Sequence, residues 1–546
     1  MHHPPLIPSA PTHLSAHGGS SATAVARYAL VRHLTDQIAD DGAVRDRCAS
    51  RVLESALLFR LLGRTGTHQR AREEIARYLR RTPTAPGSLD RVLTDVLLGS
   101  GTTPDSHHAL AWLQEFNHFT VSRKQLMMKT ILAIVGAAPY DADPTAIRYS
   151  GFASWVELSL CAIKLLHQAE RGPGEPADLA FLVDRLEHGS ATSVWEGHFL
   201  AHLLALTALQ RCMPGHPLIH LGVTGLLKNQ NPDGGIPFID GFEIFCTTTA
   251  GLALLGAPEH APWQVAALGD YLAAHQQPGG GWAYAEGVRQ CDVDDTAYCV
   301  QFLRALDPLR YAAQITAGER YLRDMAQPDG GLPTFRSGHT SEAAMTAGAL
   351  SALAPSWDDH PDIAHQAVEY LLAAQQPDGT FERSWSLSEA NAVFRALHAL
   401  HTAAPHEPEA VCDRIRHATE LAVSRLTATQ NTDGGWGHQP GEPSDPISTS
   451  YALLSLRDRP LVTAHGRGIG YLLGQQRQDG GFLSRPDQAA PRPLPYDVPV
   501  VADIFVLWAL NPSETPEGLA PPVLNEDVEH GAVQVDGPPI DTSGRC

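Results

Sequence analysis

The chain has 546 residues, 43% of them hydrophobic, with 40 Lys and Arg against 60 Asp and Glu. The formal net charge of −20 argues against nucleic acid and anionic membrane surfaces as partners. No apolar stretch reaches about 18 residues and no leader pattern opens the chain, so neither a membrane-spanning helix nor a signal peptide is expected. Eight scattered cysteines without a C-x-x-C pairing fit reduced thiols, and the expected compartment is the cytoplasm.

Residues 1–22 are rich in Pro, Ser, His and Gly and read as a disordered tail. Residues 23–215 read as an all-α first domain. Segments such as RVLESALLFRLLG, RKQLMMKTILAIVG and WVELSLCAIKLLHQ repeat apolar residues at three- and four-residue spacing, with Gly and Pro between them. From 216 to 512 a unit of about 50 residues recurs. Its copies are LLKNQNPDGGIPF, YLAAHQQPGGGW, YLRDMAQPDGGLPTF, LLAAQQPDGTF, LTATQNTDGGWG and LLGQQRQDGGF. Two helical patterns per unit predict a stack of helical hairpins, and six such hairpins close into a double-layered α/α barrel. The turn glycine supplies positive φ where the chain leaves a helix. The recurring Gln, with Trp282 and Trp436, reads as a structural tie. Residues 513–546 are acidic and Pro/Gly-rich and read as a second tail.

The second copy runs into CDVDDTAYCVQFLRAL, where Asp292, Asp294 and Asp295 stand at the start of a helix. Taken alone, such a triplet reads as a helix cap with two surface acids. If it is buried, like charges this close cannot all stay ionised. Asp292 or Asp295 suits the cap, where the helix N-terminus favours a carboxylate. That leaves Asp294 as the expected protonated member, and a protonated carboxyl in a dry pocket is a general acid. His198 and His202 stand four apart beside Glu196, but no third zinc ligand is evident.

The repeats together with DVDDTA resemble the squalene–hopene cyclase and class II terpene cyclase superfamily, over roughly residues 120 to 510. GGIPFIDGFEIF (234–245) is similar to the GGVPN…LFE segment of plant copalyl-diphosphate-type cyclases, and WSLSEANAVFRAL (385–397) to the W-x-x-S helix of bacterial members. The resemblance implies two α/α-barrel domains, γ and β, with the active site between them. It also implies protonation of a terminal alkene of a linear prenyl diphosphate, with the diphosphate retained. Geranylgeranyl diphosphate going to a labdane-type product is the first expectation, and farnesyl diphosphate going to a drimane-type product the second. A squalene-type cyclase and a non-enzymatic α/α-barrel binding protein are the alternatives.

By this resemblance Asp294 is the acid, and Asp292 and Asp295 orient it. Carbocations call for π faces, and Trp282, Tyr284, Tyr298, Phe335 and Trp385 are the candidates, with Phe238 where plant relatives carry Asn. The His of the plant deprotonating pair falls at Ala133. Arg123, Lys124, Lys228 and Arg289 are candidates for the diphosphate, and Glu157 and Glu196 for Mg²⁺. Asp358-Asp359-His360-Pro361-Asp362 matches the DDxxD of ionising terpene synthases, yet Pro361 suits a helix start and puts Asp358 and Asp359 in a turn. The expected partner is the small prenyl diphosphate, and a homodimer is compatible with the reading.

Overall fold

The computed structural model describes residues 16–512 except 100–107, 116–117, 190–192, 258, 260–261 and 458–461. Of the two expected tails, 1–15 and 513–546 lie outside the described residues, whereas 16–22 open helix α1 (Ala16–Thr35). A first lobe follows: α2 (Val52–Thr65), α3 (Gln69–Arg81), α4 (Leu89–Leu98), α5 (Trp112–Glu115), α6 (Val121–Val135), α7 (Ser154–Gln168), α8 (Pro176–His188), α9 (Phe199–Cys212) and α10 (Pro217–Lys228). The second lobe holds α11 (Glu243–Leu255), α12 (Pro262–Ala274), α13 (Val293–Leu306), α14 (Ala312–Met325), α15 (Ala343–Leu353), α16 (Pro361–Ala374), α17 (Glu389–Ala403), α18 (Glu409–Thr429), α19 (Pro446–Leu456), α20 (Val462–Gln475) and α21 (Val500–Leu510). Two short strands, β1 (Ser50–Arg51) and β2 (Ile236–Pro237), pair antiparallel with Arg51 opposite Ile236. Both lobes share one continuous apolar core, and the chain through Asn511 packs as one compact unit. No helix among the described residues is long and apolar enough to cross a membrane.

The second lobe is the α/α barrel. Helices α11, α13, α15, α17, α19 and α21 pack in succession, and α21 closes back on α11. Helices α11, α15, α19 and α21 are buried on nearly every face, as helices enclosed by a second layer must be, while α13 and α17 also carry Asp294, Asp295 and Arg395. The outer layer is α12, α14, α16, α18, α20 and, unexpectedly, α1, which packs on α20 and α21. In the first lobe α2, α9, α7 and α6 form a smaller ring, with α3, α4, α8 and α10 outside it.

The repeated turn explains the ring. Gly280, at φ +90°, lies against the next outer helix so closely that a Cβ would stand 2.4 Å from the Ala317 carbonyl oxygen. Gln276 hydrogen-bonds the Gly280 carbonyl at 2.7 Å and the Gln314 carbonyl of that same helix at 2.9 Å. The last copy does likewise across the chain termini: Gln476 donates to Gly480 at 2.8 Å and to Ala26 of α1 at 2.9 Å. Helix α1 then ends in its own turn, where Gly42 meets the Ala267 carbonyl of α12. The sixth outer helix is therefore α1, and residues 16–35 belong with the barrel, not with the first domain. The copy at 226–238 belongs instead to the first lobe, where Gly234 meets the Glu74 carbonyl of α3.

Gly480→Ala tests the closure. Its Cβ would stand 2.8 Å from the Ala29 carbonyl oxygen, whereas Gly215, also at positive φ, has nothing within 4 Å. Both substitutions carry the left-handed strain, and only Gly480→Ala adds overpacking. Urea unfolding should find Gly480→Ala less stable than Gly215→Ala by about 1–3 kcal/mol; equal midpoints would mean that α1 does not close the barrel.

Candidate active site

The inner barrel helices share a start register. In α13 the amide of Asp292 bonds the Trp282 carbonyl at 3.0 Å while Thr296 Oγ1 accepts from the Trp282 amide at 2.9 Å. Glu342 and Thr346 of α15 repeat this on Leu332, and Asp445 and Thr449 of α19 on Trp436. The helix N-termini of α11, α13 and α15 meet those of α6, α7 and α9 from the first lobe around one cavity of about 630 Å³. Their partial positive charge favours carboxylates and other anions there.

Asp292 caps α13, its Oδ1 accepting from the Asp295 amide at 2.8 Å. All three carboxylates of the motif line the cavity. Burial pushes the Asp292 carboxyl up to about 7. It pushes Asp295 well above the usual carboxylate range, helped by the charges of Asp292 and Asp294, and Asp295 Oδ1 has no hydrogen-bond partner among the described residues. Asp294 is different: its Oδ1 accepts from Arg395 Nη2 of α17. A guanidinium faces Asp294, whereas burial favours the protonated form of Asp292 and Asp295. Asp294 is nonetheless the most open of the three, its side chain 16% exposed, against 3% for residue Asp292 and 4% for Asp295.

The opposite wall is basic. Arg123, Lys124 and Arg492 line the same cavity. Arg492 bonds Glu342 Oε2 at 2.5 Å and Ser384 Oγ at 2.8 Å, and its guanidinium lies 4.3 Å from the Trp385 ring. Burial works to raise Glu342, but Arg492 and the Ser384 and Thr334 hydroxyls overcome it and hold the carboxyl below its ordinary value. Lys124 is 7% exposed, and its Nζ has no partner among the described residues. Burial, then Arg492 and Arg123, depress this amine to about 6. A buried, unpaired amine beside two guanidinia is a site prepared for an anion.

Aromatic rings connect the two ends. Trp385, Phe335, Trp155 and Tyr284 follow one another with centroids 5.5, 4.7 and 6.2 Å apart. Phe242 and Phe245 continue the series to Tyr298, which lies beneath Arg395. Phe238 also lines the cavity, 4.9 Å from the His198 ring, whereas Ala133 does not. His198 is held neutral by burial and by the charge of Arg51, at about 3, and its Nδ1 caps α9.

Several expected residues stand elsewhere. Trp282 is fully buried under its repeat, with its indole N–H on the Leu272 carbonyl at 2.7 Å, and Tyr298 is packed behind the wall; neither lines the cavity. Lys228 and Arg289 are exposed on the outside, Arg289 reaching the His188 carbonyl at 3.1 Å. Glu157 accepts from the Gly151 amide at 2.8 Å and Glu196 from Ser154 Oγ at 2.6 Å, both off the cavity wall. No three His, Cys, Asp or Glu among the described residues gather as metal ligands. Asp358 and Asp359 end a 3₁₀ turn and Asp362 lies in α16, so the DDxxD acids do not share one helix. Trp155, Phe242, Phe245, Glu342, Arg395 and Arg492 were not anticipated. The register Asp-x-x-x-Thr of α13, repeated as Glu342…Thr346, is the signal that points to Glu342.

Comparison with known proteins agrees with this geometry. The squalene–hopene cyclase C-terminal domain family matches residues 338–512. A drimenyl diphosphate synthase of Streptantibioticus cattleyicolor is 42% identical, over 90% of this chain and 94% of that protein. A second, from Streptomyces showdoensis, is 43% identical over 92% and 97%. Among solved structures, ent-copalyl diphosphate synthase from Streptomyces platensis shares the fold, with a TM-score of 0.55 and 19% identity over 90% of this chain and 99% of that one. The chain belongs to the class II terpene cyclases of the squalene–hopene cyclase superfamily.

Proposed function

We propose that this protein cyclises farnesyl diphosphate to a drimane-type diphosphate. The reading is carried by one observation, an aromatic-lined cavity that holds the three motif carboxyls together with Arg123, Arg492 and a Lys124 amine that has no partner among the described residues. The two relatives named for drimenyl diphosphate put farnesyl ahead of geranylgeranyl diphosphate. The diphosphate lies against Arg123, Lys124 and Arg492 and draws Lys124 back to its ammonium form. The terminal alkene lies against Asp294. The alkene π pair takes the Asp294 proton, the tertiary cation is attacked by the next alkene, and the final cation loses a proton to give an olefin. The C–O bond to the diphosphate is never broken. Asp292 and Asp295 hold a proton behind the acid and refill it. The rings from Trp155 to Phe245 face the travelling cation.

The test is incubation with each prenyl diphosphate, dephosphorylation and product identification. A bicyclic drimane-type alcohol from farnesyl diphosphate is expected, and its absence with any prenyl diphosphate overturns the reading. Asp294→Asn should lower kcat at least about 10²-fold without unfolding, while Asp358→Ala should leave it unchanged.

Lys124→Ala should raise KM about 10- to 150-fold, the worth of one charge-assisted hydrogen bond, with a smaller effect on kcat. Exposed Lys129 on the same helix is the control, and equal KM values in the two alanine variants would remove Lys124 from the anion site.

Stability should report the buried acids. The Asp292 carboxyl is pushed up by burial to about 7 in the folded protein, above the ordinary carboxylate range of about 4. Its stabilising contribution is therefore complete below about 4 and is lost as pH rises through about 7. Asn caps a helix as well as Asp does. Asp292→Asn should thus flatten the pH dependence of the unfolding free energy between pH 4 and 8; an unchanged slope means that Asp292 is not buried as a neutral acid.

A further inference from the structure

We propose that Arg395 is a positioning residue for the proton transfer, admitted to the acid by a gap at Gly348; this rests on the cyclase reading. Arg395 belongs to α17 and Asp294 to α13, and α15 lies between them in the inner ring. The Arg395 side chain reaches α13 past α15. It crosses at Gly348, where a Cβ would stand 2.7 Å from Arg395 Nη2 and 3.5 Å from the Ala297 Cβ of α13. The guanidinium is 7% exposed and lies 5.0 Å over the Tyr298 ring, which fixes its height in the wall. It donates to Asp294 Oδ1, so Oδ2 is left to carry the proton.

The chemistry follows from the charges. While Asp294 is a neutral acid, Arg395 makes an ion–dipole contact with it. As the proton moves to the alkene, the O–H bond breaks, its electron pair stays on Asp294, and a carboxylate forms beside Asp292 and Asp295. The guanidinium stabilises that developing charge. The contact is therefore stronger in the transition state than in the ground state, and it acts on kcat, not on KM. A purely structural ion pair would affect stability alone.

The experiment compares Arg395→Gln, Arg395→Lys, Gly348→Ala and Asp294→Asn with the wild type on farnesyl diphosphate, measuring kcat and KM across pH. Arg395→Gln should lower kcat about 10- to 150-fold with KM little changed, and should move the pH at which kcat falls upward. Arg395→Lys should recover part of kcat, because it keeps the charge and loses the fork. Gly348→Ala should lower kcat in the same direction by displacing the guanidinium. Wild-type kcat and pH profile in Arg395→Gln, with Asp294→Asn inactive, overturn the inference and leave the cyclase reading standing. An active Asp294→Asn overturns that reading itself. If Arg395→Gln does not fold, wild-type kcat and profile in both Arg395→Lys and Gly348→Ala overturn the inference equally.

Discussion

Three carboxylates within one turn of α13, two of them almost wholly buried, set the terms for everything around them. Separate ionisation of all three in such a wall would be costly, so the charge is distributed. A guanidinium from two inner helices away meets one carboxylate, while burial favours the protonated form of the other two beside a helix N-terminus. This arrangement needs α13, α15 and α17 held at fixed heights. The repeated Gln and Trp ties, far from the chemistry, hold them so. Trp282 is the clearest case: it does not line the cavity, yet its backbone anchors both Asp292 and Thr296.

The cavity is electrically polar along its length. The chain as a whole repels anions, so recognition of one depends on a local excess of positive charge that the protein does not neutralise. Glu342 engages only part of Arg492, and Lys124 has no partner among the described residues. Between the basic and acidic ends the lining is mostly aromatic and aliphatic, and a cation moving there meets ring faces instead of bases. A ligand that is an anion at one end and an alkene at the other fits this polarity in one orientation only.

Much of this was legible in the sequence, and the failures have physical causes. The acid motif could be read because it stands at the second copy of a repeat, a combination that resembles one family; alone it reads as a helix cap with two surface acids. Arg123 and Lys124 could be read only through the family resemblance, which places the diphosphate site in the first domain. Arg492 could not, because it sits in a Pro-rich loop with no periodicity. Lys228 and Arg289 look equivalent to Lys124 in sequence; only the fold shows which cations face inward. The repeat motif marks a turn that packs on a neighbouring helix, not membership in a ring. The full motif at 226–238 therefore packs on α3, while the reduced one at 37–44 closes the barrel. Arg395 could not be read as the partner of Asp294, since a contact 101 residues away leaves no local trace.

The position of α1 constrains how such a chain comes to be folded. Gln476 and Ala26, bonded in the finished barrel, are 450 residues apart. During synthesis α1 emerges first, presenting Leu30, Val31 and Leu34, which end up buried, before the helices that cover them exist. The first lobe can assemble from nearby partners, but the barrel cannot close until α20 and α21 have been made. Closure is then a single late event, and the loop it completes spans nearly the whole molecule. A ribosome stalled before that point would carry an open arc of five staves and one stranded helix, with the acid motif already synthesised but its dry wall not yet built.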